Sequence, residues 1–281
     1  MMFSRIGLGA GNLGSVSDAE ADRLVRAALA LGVTVFDTAR SYGASEARLG
    51  RALAERRNEA IVVTKGGYGV DGVADWTGEA IRRGVDEALS RLGGDAIDVF
   101  LLHSCDVATL ERGDVVPALV RARDAGKVRV AGYSGEGAAL AWAAARREIF
   151  GALECSASPF DQANLPLVAR AREESFCVLA KRPLGNAPWR YATRPEREDE
   201  AIYWRRWREL GVDPTPLAWE ELCVRFTAFA PGVTTALVGT ARMEHLEAAV
   251  RAAASGPLDA VVHARVRAAF AERGGGWTGV V

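Results

Sequence analysis

The chain has 281 residues, 49% of them apolar, and a formal net charge of -1 at pH 7. This composition is that of an ordinary globular protein, and a near-zero charge without a basic run argues against binding to nucleic acid or to an anionic membrane. The N-terminal sequence MMFSRIGLG has no secretory apolar core, and no apolar stretch reaches the ~18 residues that span a bilayer. We therefore expect a cytoplasmic protein without nucleic-acid or membrane partners, and its oligomeric state stays open.

The first predicted strand, RIGLG, runs into GAGNLG at residues 9–14, which has the glycine spacing of a dinucleotide-binding turn. That motif requires a helix that begins inside the glycine turn, because the helix N-terminus holds the pyrophosphate. Ser17 is the better helix start here, since Glu20 follows three residues later to complete a capping box. The glycines are therefore predicted to lie in a loop before the helix, which disfavours a Rossmann turn.

Apolar, strand-like runs alternate with helical patterns along the whole chain. After RIGLG they read VTVFD, AIVVTK, DAIDVFLLH, KVRVAGYS, ALECS, FCVLAK and TTALVG. This alternation predicts a parallel sheet covered by helices on both faces. Eight units without a linker predict one α/β domain over residues 1–281, a (β/α)8 TIM barrel with a long loop after strand seven.

Polar side chains stand where three of these strands end. Asp37 ends strand two, Tyr42 follows in the next loop, Lys65 ends strand three and His103 ends strand four. Taken singly, each is better explained by a turn, loop packing, solvation or a structural hydrogen bond. In a barrel, however, catalytic groups come from the carboxyl ends of different strands. Together they suit carbonyl reduction, with Tyr42 as the general acid. Lys65 is expected to lower the pKa of Tyr42, and Asp37 to hold Lys65 by a salt bridge. His103 can orient the carbonyl or relay a proton.

The four cysteines, Cys105, Cys155, Cys177 and Cys223, have neither metal-binding nor disulfide spacing. They are predicted to be reduced core thiols, and no metal site is expected.

The sequence resembles the aldo-keto reductase family in FDTARSYGASEARLGRAL, VVTK, DAIDVFLLH, AGKVRVAGYS and ALVGTARMEHLEAAV, which occur in the order the family has them. The resemblance implies a (β/α)8 barrel and NAD(P)H-dependent reduction of a small carbonyl substrate, or the reverse oxidation of an alcohol. It carries the family's catalytic tetrad onto Asp37, Tyr42, Lys65 and His103.

The cofactor positions that the resemblance implies match less well. Gly135 stands in place of an asparagine, Glu154 of a glutamine, Lys181 of a tyrosine that stacks on the nicotinamide, and Ala249 of an asparagine that contacts adenine. Glu154 keeps an acceptor for the carboxamide amine, and Lys181 with Arg182 can reach phosphate oxygens. The alternative is that Lys181 and Arg182 are two solvated charges at a strand end. The implied cofactor residues are Gly9, Gly11, Ser134, Gly135, Glu154, Lys181, Arg182, Leu184, Gly239, Thr240, Arg242 and His245.

The segment GTARMEH follows the last strand, where barrels often bind phosphate at a helix N-terminus. Gly239 permits close backbone approach. Arg242 is predicted to lie in the first helical turn, where a bound anion explains a cation that the helix dipole disfavours. A surface arginine is the alternative. We expect NADP(H) as cofactor, with NAD(H) less favoured.

The predicted loop after strand seven, residues 183–200, carries Trp189 and Tyr191 in its first half and the charged run RPEREDE in its second. This segment is predicted to be mobile without ligand and to close as a lid over the nucleotide. The alternative is a surface excursion in which Trp204 and Trp207 dock one helix onto the barrel.

Two other functions stay open at this point. The altered cofactor positions allow a catalytically weak barrel that acts as a nucleotide-binding regulatory subunit. Lys65 allows a Schiff-base lyase, although Asp37 and Tyr42 then have no joint purpose. The physiological substrate is not indicated, because specificity in barrels lies in the variable loops.

Overall fold

Eight parallel strands close into a barrel in the computed structural model of the protein, which describes residues 2–280. Strands that are neighbours in the chain are neighbours in the sheet, and Gly9 pairs with Gly239 where the first and last strands close the ring. The strands are β1 (Ile6–Gly9), β2 (Val35–Asp37), β3 (Ile61–Gly66), β4 (Ile97–His103), β5 (Val128–Ser134), β6 (Ala152–Ser156), β7 (Cys177–Lys181) and β8 (Thr235–Gly239). The predicted (β/α)8 barrel is confirmed.

Helices cover the outside of this barrel. They are α1 (Asp18–Ala30), α2 (Ser45–Leu53), α3 (Gly78–Leu92), α4 (Val107–Glu111), α5 (Val115–Asp124), α6 (Gly137–Ala144), α7 (Leu165–Glu173), α8 (Glu198–Leu210), α9 (Trp219–Ala228), α10 (Met243–Ala254) and α11 (Ala260–Arg273). Within residues 2–280, none of them is long and apolar enough to cross a membrane. The four cysteines are free thiols, and three of them are buried.

The start of α1 agrees with the capping box read from the sequence. The hydroxyl of Ser17 accepts the backbone N–H of Glu20, and the Glu20 carboxylate accepts the backbone N–H of Ser17 at 2.8 Å. The residues Ala10–Gly14 form a short 3-10 helix that precedes this cap. The GAGNLG glycines therefore lie before the helix rather than inside its first turn.

The interior packing explains why polar residues collect at one end of the barrel. Along a strand, side chains that face the interior alternate with side chains that face the helices. Val35 on β2 and Val63 on β3 belong to the apolar cluster inside the barrel. The next inward positions, two residues further toward the carboxyl ends, are Asp37 and Lys65. The same period on β4 brings His103 to this end.

The loop after β7 is shorter than predicted, because α8 begins at Glu198 and the charged run RPEREDE therefore ends in a helix. Glu198, Asp199 and Glu200 form the first turn of α8. Acidic side chains stabilise the positive end of the helix dipole, which accounts for a helix start inside a segment that reads as charged loop.

Candidate active site

Lys65 lies at the centre of the polar cluster at the carboxyl end of the barrel. Its side chain is fully buried, and its Nζ donates to both carboxylate oxygens of Asp37, at 2.6 and 2.7 Å, and to the carbonyl of Thr38, at 3.1 Å. The Oε2 of Glu154 lies 3.3 Å from the same Nζ. Burial would lower the pKa of Lys65, but the charges of Asp37 and Glu154 outweigh it, so the pKa is raised and the ammonium form persists.

Two buried carboxylates thus share one ammonium. Burial and the neighbouring charge of Glu154 raise the pKa of Asp37. Burial also opposes the charged form of Glu154, but Lys65, Lys181 and Asp37 together outweigh it, and the pKa of Glu154 is lowered. The Glu154 Oε1 accepts a hydrogen bond from the Ser134 hydroxyl at 3.0 Å, whereas Oε2 has no hydrogen-bond partner among residues 2–280.

Tyr42 lies beside this cluster, with the Lys65 Nζ 5.3 Å from the centre of its ring. Lys65 by itself lowers the pKa of Tyr42, but burial and the charges of Asp37 and Glu154 outweigh it, and the pKa is raised. The expectation that Lys65 lowers this pKa is therefore wrong in its net effect, because two carboxylates surround the lysine. Tyr42 remains a phenol over the whole neutral range.

His103 faces Tyr42 edge to face, with the ring centres 6.0 Å apart. Its Nδ1 lies 3.1 Å from the hydroxyl of Tyr68, and the Tyr68 and His103 rings stack with centres 5.5 Å apart. Burial, with Lys65 adding to it, lowers the pKa of His103 to about 3. The imidazole is therefore neutral near pH 7.

Tyr68 is a residue that the sequence reasoning missed. It lies in the loop after β3, as Tyr42 lies in the loop after β2, and each tyrosine precedes a glycine. This repeated Tyr-Gly pattern behind two neighbouring strand ends is the signal that could have found it.

The β5 end differs from the pattern that the resemblance implies, and the difference has a steric reason. A Cβ on Gly135 would lie 2.5 Å from the hydroxyl of Tyr133. That hydroxyl is buried and donates to the carbonyl of Cys105 at 2.5 Å. Because Tyr133 fills this space, an asparagine at position 135 would require the Tyr133 side chain to shift. Ser134 is buried beside it, held by Glu154 as described.

Lys181, at the end of β7, and Arg182, which follows it, are both engaged by polar groups of the protein. The Lys181 Nζ lies 3.2 Å from the carboxylate of Glu136. Arg182 donates to the carbonyl of Val280, so the C-terminal residues of the described chain lie over this strand end. Leu184 is half-buried and packs against the core. The phosphate contacts suggested for Lys181 and Arg182 would require these partners to be exchanged.

The β1 and β8 ends bring their glycines together. A Cβ on Gly9 would lie 3.1 Å from the Cα of Gly239, whereas a Cβ on Gly239 would meet nothing within 4 Å. Gly11 faces the ring of Tyr42, with a Cβ position 3.6 Å from it. Small residues here keep the backbone of β8 open toward the mouth of the barrel.

The start of α10 differs from the prediction. Arg242 is the N-cap residue and not part of the first turn, which begins at Met243. The Thr240 hydroxyl accepts the backbone N–H of Arg242 at 2.9 Å, and His245 Nδ1 lies 3.4 Å from that hydroxyl. Ala249 is buried on α10 and packs in the hydrophobic core.

The aromatic residues of the β7–α8 segment are packed against the barrel. Trp189 stacks on Trp219 with ring centres 5.9 Å apart and donates from Nε1 to Glu220 at 2.8 Å. Trp204 donates to the carbonyl of Tyr191 at 3.1 Å. Both a lid resting on α9 and a fixed excursion are compatible with these contacts.

Comparison with known proteins places this barrel in a family. The sequence profile of the Aldo/keto reductase family matches residues 5–271. L-galactose dehydrogenase from Arabidopsis thaliana is 36% identical over 146 residues, which are 48% of this chain and 46% of that protein. The matches to the curated relatives thus cover about half of their length.

Solved structures show the same fold. The holo form of an aldo-keto reductase from Bacillus halodurans superposes with a TM-score of 0.79 at 23% identity, over 95% of this chain and 92% of that chain. An aldo/keto reductase from Klebsiella pneumoniae, solved in complex with NADP and acetate, superposes with a TM-score of 0.74 at 23% identity, over 95% and 91% of the two chains. From the family profile, which spans nearly the whole sequence, we conclude that this chain belongs to the aldo-keto reductase family.

Proposed function

We propose that the protein is an NADP(H)-dependent oxidoreductase that reduces an aldehyde or ketone to the alcohol, or catalyses the reverse reaction. The observation that carries the proposal is the convergence of Tyr42, Lys65, Asp37 and His103 at one end of the barrel. Family membership and the NADP complex of a protein with the same fold support it.

Tyr42 is the proton donor in this proposal. Its raised pKa keeps the proton on the phenol until a carbonyl oxygen gains negative charge. The phenolate left behind is stabilised by the ammonium of Lys65, and Asp37 fixes that ammonium through two short hydrogen bonds. Water returns the proton to Tyr42 after the alcohol leaves.

His103 orients the substrate. Because its imidazole is neutral, it donates one N–H to the carbonyl oxygen without adding a positive charge beside Lys65. In the direction of reduction the carbonyl oxygen thus receives a hydrogen bond from His103 and a proton from Tyr42.

Bound NADPH supplies the hydride that the carbonyl carbon accepts. The Oε2 of Glu154, which accepts no hydrogen bond from residues 2–280, is a buried acceptor that fits a carboxamide amine. The open backbone at Gly239 and the start of α10, where the N-cap residue Arg242 makes no side-chain capping hydrogen bond, fit a phosphate. We propose that these residues, with Ser134 and Thr240, bind the nucleotide.

Tyr42→Phe tests the assignment. NADPH consumption is followed with a panel of aldehydes, ketones and sugars, and binding is followed by the fluorescence of the reduced nicotinamide. We expect turnover to fall by at least about 100-fold, the usual contribution of a general acid, with nearly unchanged NADPH affinity. Undiminished reduction by Tyr42→Phe would refute the role of this residue.

One observation favours the regulatory alternative. Lys181 is paired with Glu136, and Arg182 with the Val280 carbonyl, so two cations expected to serve the cofactor are engaged by the protein itself. NADPH binding without turnover of any carbonyl in the panel would support a regulatory subunit. The Schiff-base alternative is disfavoured, because Lys65 is held as an ammonium and an ammonium is not a nucleophile.

A further inference from the structure

The site holds one carboxylate more than the proposed proton transfer needs. Asp37 and the Thr38 carbonyl already accept three hydrogen bonds from Lys65, at 2.6, 2.7 and 3.1 Å. Glu154 nevertheless reaches the same ammonium from β6, which lies across the barrel from β2, and places Oε2 3.3 Å from Nζ. Lys65 is thus held between two carboxyl groups on opposite walls of the barrel.

Hydrogen bonding does not explain why position 154 carries a carboxylate and not an amide. Its Oε1 accepts from Ser134 at 3.0 Å, which an amide oxygen would do equally well. Its Oε2 accepts no hydrogen bond within residues 2–280, although the side chain is only 2% exposed. A buried carboxylate is costly unless a nearby charge compensates it. What distinguishes Glu154 from a glutamine is therefore its charge toward Lys65 and the groups around it.

We propose that Glu154 is a positioning residue that acts through Lys65 to keep Tyr42 in its proton-bearing form. Lys65 is the group beside Tyr42 that favours a phenolate, and Glu154 offsets it from β6, as Asp37 does from β2. The other titratable groups that face Tyr42 are Tyr68 and His103, and the latter is neutral.

The inference rests on the proposed function only for its effect on reaction direction. Reduction transfers the Tyr42 proton to the carbonyl oxygen while hydride from the cofactor bonds to the carbon and the cofactor is oxidised. Oxidation requires the Tyr42 phenolate to accept the proton of the alcohol. A charge that opposes the phenolate therefore favours reduction near pH 7 and in alkaline solution, and slows oxidation.

Tyrosinate absorbance in the ultraviolet tests the inference without cofactor or turnover. The full chain is titrated with alkali, and Tyr42→Phe identifies the step that belongs to Tyr42. We expect Glu154→Gln to move that step down by about one pH unit, because it removes one negative charge at nearly constant shape. Glu154→Asp retains the charge and should leave the step near its wild-type position.

A matched control comes from the neighbouring strand end. Glu136 is also buried, but it faces Lys181 rather than Lys65, so Glu136→Gln should leave the Tyr42 step in place. Circular dichroism verifies the fold of each variant, and Glu154→Met serves as a second neutral variant if the glutamine variant does not fold. An unmoved Tyr42 step in a folded neutral variant overturns the proposal, as does an equal shift in Glu154→Asp.

Kinetics separate this inference from the proposed function. Glu154→Gln should raise alcohol oxidation near pH 7 by up to about 10-fold, the factor that corresponds to one pH unit, and should shift the alkaline loss of reduction to lower pH. If the Tyr42 step moves but the wild type turns over no substrate, the proposed function fails and the role of Glu154 stands. If the wild type reduces carbonyls but the step does not move, the role of Glu154 fails alone.

Discussion

The hydroxyl of Tyr68 lies 3.1 Å from Nδ1 of His103, and the rings of the two residues stack. Ser41 is the second hydrogen-bond partner of that hydroxyl, and its Oγ is placed to accept from Tyr68 at 3.2 Å. A phenol is a better hydrogen-bond donor than a neutral imidazole and a poorer acceptor. The hydroxyl has one hydrogen, which it donates either to Ser41 or to Nδ1 of His103, and donation to Nδ1 is the arrangement that leaves the imidazole hydrogen on Nε2 for a substrate oxygen.

Tyr68→Phe should lower kcat/KM for carbonyl reduction by about 5- to 10-fold, which corresponds to the loss of one hydrogen bond worth ~1 kcal/mol. The variant keeps the stacked ring, so thermal stability should change little. Steady-state kinetics with an aldehyde that the wild type reduces provide the measurement. Ser41→Ala is the control, since it spares the contact with His103 and should have a smaller effect. An unchanged kcat/KM in Tyr68→Phe would show that the contact is only structural.

Asp37 and Glu154 should each partly compensate for the loss of the other, because both pair with Lys65. Removing the sole partner of a buried charge typically costs about 3–5 kcal/mol, but Lys65 has two partners. We expect Asp37→Asn and Glu154→Gln each to cost less than this, and the double variant to cost more than the two single costs combined. Urea denaturation of the four proteins measures the coupling. Additive costs would contradict a shared role at Lys65.

Acid should destabilise the protein through His103. Its pKa is lowered from 6.5 to about 3, chiefly by burial, so between these values the unfolded chain binds a proton that the folded chain does not. The stability that His103 contributes is therefore present above pH ~6.5 and is lost as the pH falls toward ~3. Across this interval the wild type should lose about 1.4 kcal/mol per pH unit more than His103→Gln. If the urea midpoints of the two proteins change with pH in the same way, protonation of His103 does not contribute to acid destabilisation.

The segment after β7 should respond to the cofactor. NADPH is expected to protect residues 184–191 from amide hydrogen exchange, through ordering of a lid rather than through new secondary structure. Residues 219–228 of α9, on which Trp189 rests, serve as an internal reference in the same spectra. Equal exchange at 184–191 with and without saturating NADPH would leave the segment as a fixed surface excursion.

Local patterns in the sequence sufficed for the barrel and for the placement of its polar residues. The period of two along each strand is a local property, so the amino-acid sequence alone assigns Asp37, Lys65 and His103 to strand ends. The capping box at Ser17 is equally local, because it joins atoms only three residues apart. For the same reason the eight strand runs could be counted directly.

Tertiary structure decided what depends on the distance between strands. Glu154 meets Lys65, and Tyr68 meets His103, because the closed sheet brings different strand ends to one mouth. The sign of the net pKa shift of Tyr42 follows from that closure, since it depends on how many carboxylates surround Lys65. A linear pattern states which residue ends a strand, but only the packed barrel determines which charges share a buried space, where electrostatic interactions are strong because water is excluded.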